Sequence, residues 1–467
     1  MLVFISDLHL GDGTAGKLNL GASAFEHLFN DLRRHARNAR AERIDLVLLG
    51  DVFDLLHSAA WGETSGTSDT RQALSAAARV LEATLDENSG VFSLFAPTSL
   101  RQSLRCVSDD TPGRTLRVHY IPGNHDRLCN LDRGLREQVI GALGLWHRDA
   151  DKPFPWSLYF PRYGAIARHG HEFDRWNYAG GQDLTPQAHE AAPVGDVLVT
   201  HFAARLHCEL MRALTGKYVG DQEVAAFSRN LSSMYDVRPR TALVPWLAHG
   251  VASLRGNKEA LRDVQRCVAR VVDDVLCTGQ MRRWLRRHPL SASLARPVSV
   301  ALKHIDFFGL HLDRLLIPLL WSATEQGKAG KADPHVTAAM REWRYLKPEW
   351  QRDWRCVVYG HTHTPTRIPV GVRLCGRTPR DVIYVNTGTF RPLYSQTEDG
   401  RGFVGLKQMT YVILYGPDEA RPKRSPKQWA EVWTGNLQDE DVCAVEPSGS
   451  AAVQGQVPRD AEPREVK

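Results

Sequence analysis

The chain has no run of roughly 18 uninterrupted apolar residues, the length a helix needs to cross a bilayer, so no transmembrane segment is expected. Its longest apolar patch, Leu315–Trp321, is short and follows Asp313 and Arg314. A basic leader with a small-residue cleavage site is also missing. Met1-Leu2-Val3-Phe4-Ile5-Ser6-Asp7 reads instead as a buried first strand. Cysteines in paired short spacing are lacking too. The eight present (Cys106, Cys129, Cys208, Cys267, Cys277, Cys356, Cys375, Cys443) are scattered, which argues against a disulfide framework or a thiolate zinc knuckle. Reduced thiols and no leader make a cytoplasmic setting the expectation. Neither sign of charge dominates: a net charge of +6 suits an anionic substrate and is specific to nothing.

What is present is more telling. Short runs rich in β-branched and aromatic residues recur at Leu2–Ser6, Ile44–Leu49, Val118–Pro122, Cys356–Tyr359 and Val382–Asn386. Phe25, Leu28, Phe29 and Leu32 lie at helical spacing between the first two. Strand, helix, strand in that order predicts an α/β layered domain. From about Trp176 to Lys347 helical periodicity takes over, as in Lys258–Leu276 and Val298–Leu320. The division expected is a core in two halves, 1–175 and 351–440, a mainly helical insertion or cap over 176–350, and a disordered tail over 441–467. Trp61–Thr70 reads as a mobile loop.

Nineteen histidines include several that sit beside Asp or Asn in tight clusters. In chain order these are Asp7-Leu8-His9, Gly50-Asp51-Val52-Phe53-Asp54, Gly123-Asn124-His125-Asp126, His169-Gly170-His171 and Gly360-His361-Thr362-His363. On extended chain, alternate residues of Asp-x-His or His-x-His face one way and can share an ion. A preceding glycine lets the backbone turn sharply. Carboxylate, imidazole and amide oxygen together suit borderline-hard divalent ions, manganese first and iron or zinc as alternatives. Seven side chains, with Asp51 shared, are enough for two such ions, the arrangement that clamps both oxygens of an in-line phosphoryl displacement. Each cluster alone has a bland reading as a turn or solvated pair; their joint occurrence after strand-like runs does not.

These motifs resemble the calcineurin-like metallophosphoesterase superfamily over roughly residues 1–175 and 354–390. The resemblance implies a β-sandwich flanked by helices. It implies one ion held by Asp7, His9, Asp51 and His363, and another by Asp51, Asn124, His169 and His361. A hydroxide shared by the ions would attack phosphorus in line. His125 would aid the leaving group, oriented by Asp126. His171 and His201, which follows the strand-like Val197–Thr200, compete with His169 as ligand. Asp54 and Asn386 are expected near the site, and Thr387-Gly388-Thr389 is similar to the strand-turn that the family places behind its metals.

Ile5–Gly11 and His169–Asp174 are similar to the branch containing UDP-2,3-diacylglucosamine hydrolase, which typically has Arg at the position of His125 and Asp at that of His171. The expected enzyme therefore hydrolyses phosphate esters or pyrophosphate bonds, with a nucleotide-linked or lipid-linked substrate. A nuclease of the same superfamily is the alternative, since such enzymes share the Asp-x-His-x-Gly opening. Arg282-Arg283-Trp284-Leu285-Arg286-Arg287-His288 fits a nucleic acid, an anionic membrane surface, or a solvated helix face beside a core Trp. Arg33-Arg34-His35-Ala36-Arg37 sits where basic residues complement a helix dipole. A scaffold that had lost catalysis would not need all of these ligands.

Overall fold

A computed structural model describes residues 1–16, 19–64, 69–96, 115–146, 149–238, 242–288, 333–348, 350–351, 354–375, 378–399, 402–419, 429–436 and 442–443. The expected helix over Val298–Leu320 lies outside them, as does the expected disordered tail over 441–467 except at Val442–Cys443, which the structure pairs antiparallel with Asn19–Leu20 as a short strand. Among the described residues two mixed sheets carry the architecture, with about ten helices around them. The longer strands are β1 (Leu2–Ile5), β2 (Arg43–Leu49), β3 (Thr115–Ile121), β4 (Ser157–Phe160), β5 (Ala165–Arg168), β6 (Cys356–Tyr359), β7 (Thr366–Cys375), β8 (Thr378–Asn386), β9 (Phe390–Gln396), β10 (Phe403–Leu414) and β11 (Ala430–Asn436).

The seven-stranded sheet runs β3-β2-β1-β10-β9 and ends on the short strand Val237–Arg238, with β11 also paired to β10. Its first three strands are parallel, with Leu2 opposite Asp45 and Ile44 opposite Leu116. The five-stranded sheet runs β4-β5-β6-β8-β7, and there β5, β6 and β8 are parallel. Leu2, Phe4, Val47 and Leu49 from the first sheet share one buried cluster with Ala165, Ala167, Val358 and Val385 from the second. The near-continuous apolar character of these strands follows from burial on both faces.

Helix Ala22–Ala39 buries Phe25, Leu28, Phe29 and Leu32 against the other face of the first sheet, as the spacing predicts. It ends where Arg40 takes a left-handed conformation at φ 50°. Helix Thr70–Glu87 starts on the Asp69 carboxylate, which accepts from the N–H groups of Arg71 and Gln72. Of the expected loop Trp61–Thr70, Trp61 lies in a short 3-10 turn, buried, with its indole N–H donating to the Leu55 carbonyl at 2.7 Å, and Thr70 opens the next helix.

Among the described residues of 176–350 helices dominate, including Gln222–Ser232, Leu243–Ala252, Lys258–Cys277 and Gly279–Arg287. They share their own apolar cluster, against which Tyr394 and Phe403 also pack. Val197–Thr200 is helical, not extended. Val194, Val197, Leu206, Leu210 and Leu214 all feed that cluster, so packing overrides the local β-propensity of Val and Thr.

Behind β5 lies a fully buried ion cluster. Arg168 reaches Glu342 at 2.6 Å and Glu172 at 3.1 Å, and Glu342 also accepts from the Tyr359 hydroxyl at 2.9 Å. Arg168→Met would leave two buried carboxylates uncompensated. Such a change is expected to destabilise the fold by about 3–5 kcal/mol, read as a lower urea midpoint.

Candidate metal centre

The parallel strands deliver every clustered motif to one place. Asp7 follows the end of β1, Asp51 that of β2, Asn124 and His125 that of β3, His169 that of β5, and His361 that of β6. Carboxyl ends of parallel strands are where α/β sheets gather ligand-binding groups. All of these side chains are buried, with His361 the most exposed at 8%.

The backbone there is unusual. Among the described residues, six that are not glycine have positive φ, and five of the six are Asp7, His9, Asp51, His361 and His363. Extended alternation is therefore not what aims Asp7 with His9, or His361 with His363. Each sits in the left-handed region, a conformation that disfavours most L-residues and concentrates at functional sites. Nothing in the motif spacing announces this.

Three glycines permit the close approach. A Cβ on Gly360 would fall 2.6 Å from Ser6 Oγ, and one on Gly123 would collide with the Asp51 carboxylate. Gly50, at φ +83°, packs so tightly on the His169 ring that a Cβ would overlap it. Gly50→Ala is therefore expected to push His169 aside and weaken metal binding by roughly 10–100-fold, measurable by manganese titration.

The donors fall into groups. Asp7, His9 and His363 converge: His363 Nε2 lies 3.2 Å from Asp7 Oδ1 and 3.1 Å from His9 Nε2. Asp51, His169 and His361 form a second group. Asp51 Oδ2 stands between the two, 3.7 Å from His9 Nε2 and 3.6 Å from His169 Nε2. His9, Asp54 and His125 form a third overlapping group. Among the described residues Asn124 Oδ1, though buried, has no hydrogen-bond partner, while its amide group donates to Asn177 at 3.3 Å. A buried amide oxygen in that position fits a cation better than it fits a packed core.

Electrostatics agree with that fit. Burial lowers the pKa of His9, His361 and His363, favouring the neutral imidazole that binds metals. Burial raises the Asp51 carboxyl, but His169, His125 and His9 outweigh it and bring it to about 2. His169 shows the reverse balance: burial pushes it down, and Asp51 and Asp7 hold it up to about 9. A cation between the carboxylates would take over that charge.

The competitors of His169 are placed elsewhere. His171 lies behind it, with Nδ1 at 3.2 Å from His169 Nδ1, and burial lowers its pKa to about 3. His201 contacts Thr200 and the Thr64 carbonyl.

The expectation that Asp126 orients His125 gives way to a different geometry. Asp126 accepts from the backbone N–H of Gly123 at 2.5 Å and of Val52 at 2.8 Å, tying the two ligand loops together. Its carboxyl is raised to about 6 by burial and by Asp51. The carboxylate on the His125 ring belongs to Asp54, whose Oδ1 lies 2.8 Å from His125 Nδ1 and whose Oδ2 lies 3.2 Å from His9 Nδ1. One side chain thus fixes two imidazoles. Asp54 is the fourth residue of Gly-Asp-x-x-Asp after its glycine, a signal the sequence did contain.

Asn386 donates to the Gly360 carbonyl at 2.6 Å, and Thr389 Oγ1 donates to the Asp7 carbonyl at 2.8 Å, so the turn after β8 buttresses both loops. Besides Asn177, another residue of the 176–350 segment reaches the site. The Tyr235 hydroxyl lies 3.1 Å from His125 Nδ1, and no motif pointed to it.

The basic helix Gly279–Arg287 is built differently from a free stacking surface. Trp284 stacks on Trp176 with centroids 4.7 Å apart and on His288 at 4.1 Å, so its ring is used within the fold. Arg282, Arg283, Arg286 and Arg287 are exposed. Among the described residues no helix is long and apolar enough to cross a membrane.

Fold and site together define an α/β protein with buried Asp/His clusters able to hold a metal ion. Comparison with protein-family descriptions, with curated proteins and with solved structures finds no match.

Proposed function

We propose that the chain is a metallophosphoesterase of the calcineurin-like type, hydrolysing phosphate esters or pyrophosphate bonds with two divalent ions, manganese the first choice. The observation that carries this reading is the joining of the two donor groups by carboxylates: Asp51 lies 3.7 Å from His9 and 3.6 Å from His169, and Asp7 lies 3.8 Å and 3.4 Å from the same two rings. Face-to-face packing of the two sheets, with ligands at their strand ends, supports the sandwich fold that goes with it.

Two ions bound there would supply the charge that clamps the attacking and leaving oxygens of an in-line displacement. The chain's own residues do the rest. Asp7, His9, Asp51 and His363 would hold one ion, and Asp51, Asn124, His169 and His361 the other. Asp54 accepts from His125 Nδ1, which leaves Nε2 as the nitrogen that gives a proton to the leaving oxygen. Burial raises the Asp54 carboxyl, but His125 and His9 together hold it well below its usual range, so it stays anionic beside the ring.

Full burial of the donors favours a phosphoryl group entering a recess, as in a nucleotide-linked or lipid-linked diester or anhydride, over a polymer lying across a groove. The test is direct: purified protein with manganese should hydrolyse bis(p-nitrophenyl) phosphate, and chelator should abolish the reaction. A manganese-loaded protein inert on phosphodiester, phosphomonoester and pyrophosphate substrates alike would sink the reading.

A further inference from the structure

We propose that Tyr235, supplied by the helical segment, is a positioning residue for His125, so that this segment completes the reaction centre and does not merely cover it. The inference rests on the phosphoesterase reading above. Its hydroxyl stands 3.1 Å from His125 Nδ1 and 3.3 Å from Nε2. Since Asp54 already takes Nδ1 at 2.8 Å, the phenol O–H is left to donate to Nε2 whenever that nitrogen is unprotonated.

The phenol is held firmly. Its ring stacks on His57 with centroids 3.9 Å apart and planes at 12°, and meets His9 edge-on at 6.2 Å. Arg238 and Arg391 stand 6.0 Å and 5.9 Å from its centroid. The Tyr235 carbonyl accepts from Arg238 at 2.8 Å. Asp236, the next residue, pairs with Arg391 at 2.5 Å, and Arg391 donates to the His9 carbonyl at 3.2 Å. The following strand, Val237–Arg238, joins the edge of the seven-stranded sheet beside Tyr394 and Ser395. A helical segment with its own core is thereby tied at this turn to the metal-side loops.

The chemistry keeps its balance without a new acid. His125 gives its Nε2 proton to the leaving oxygen, and the vacated nitrogen accepts a hydrogen bond from the phenol, which keeps its own proton. Asp54 and Tyr235 together fix the ring plane and the nitrogen that faces the substrate. A leaving group that needs protonation depends on this geometry; p-nitrophenolate, a stable anion, depends on it little.

The experiment compares two diester reporters, one leaving p-nitrophenolate and one leaving phenolate, on wild type and Tyr235→Phe, which keeps the ring stack. Expected is a roughly 10-fold fall in kcat on the phenolate reporter, with KM and manganese content unchanged and a much smaller fall on the p-nitrophenyl reporter. In histidine-labelled protein the His125 ring nitrogen resonances, assigned with His125→Asn, should also move. An equal fall on both reporters, no fall on either, or unmoved resonances would overturn the proposal while leaving the phosphoesterase reading intact. Wild type inert on both reporters would overturn this proposal, and inertness on phosphomonoester and pyrophosphate substrates as well would overturn the phosphoesterase reading with it.

Discussion

Replacing Asp51 with Asn should lower hydrolysis by about 10³-fold or more, the rate equivalent of roughly 4 kcal/mol of lost charge stabilisation. The substitution removes the anion while preserving most of what the position does structurally. Asp51 Oδ1 accepts from the His125 N–H at 2.8 Å, and an amide oxygen can do the same. The residue sits at φ 49°, where Asn is among the few side chains tolerated readily. Melting temperature should therefore change little while bound manganese falls below two equivalents. Full turnover in the variant would rule out a shared carboxylate between two ions.

Removing the His125 imidazole should affect rate and metal differently. His125→Ala is expected to lower kcat by about 10²–10⁴-fold, the usual worth of a positioned general acid, with manganese content retained. His125→Asn provides the control for packing, because it leaves a polar partner for Asp54 in a fully buried position. The discriminating outcome is the ratio of the two losses. Because His9, Asp54 and His125 also lie close enough to hold an ion, equal losses of metal and of rate would make His125 a ligand.

Much of the framework was legible because burial writes a plain signature. The apolar residues of Leu2–Ser6 and Cys356–Tyr359 run unbroken over Leu2–Ile5 and Cys356–Tyr359, and both stretches prove to be strands buried on both faces. The strands Ser157–Phe160 and Phe390–Gln396 carry a weaker signature. The first is an edge strand, half-exposed along most of its length, and the second holds a proline. Val197–Thr200 misled through β-branching, since the partner that makes it helical, the apolar row Leu206, Leu210 and Leu214, lies further along the chain.

At the site, residue types and order were enough to nominate the donors, which the fold brings together. The division of labour between Asp54 and Asp126 was only half readable: Gly-Asp-x-x-Asp marked Asp54 as near the site, without its partner ring. Both are acidic residues after strand ends, and only the approach of the two loops decides which faces the ring. Tyr235 was invisible for a related reason. It lies 110 positions from His125 in sequence, in a segment whose periodicity speaks only of its own core.

The central claim is that one buried carboxylate is shared by two ions whose joint presence enables hydrolysis. Its most direct test is to titrate metal-free protein with manganese while following both bound metal and diester hydrolysis. Activity should stay near background through the first equivalent and rise with the second. Full activity at one equivalent, or activity untouched by exhaustive chelation, would contradict it.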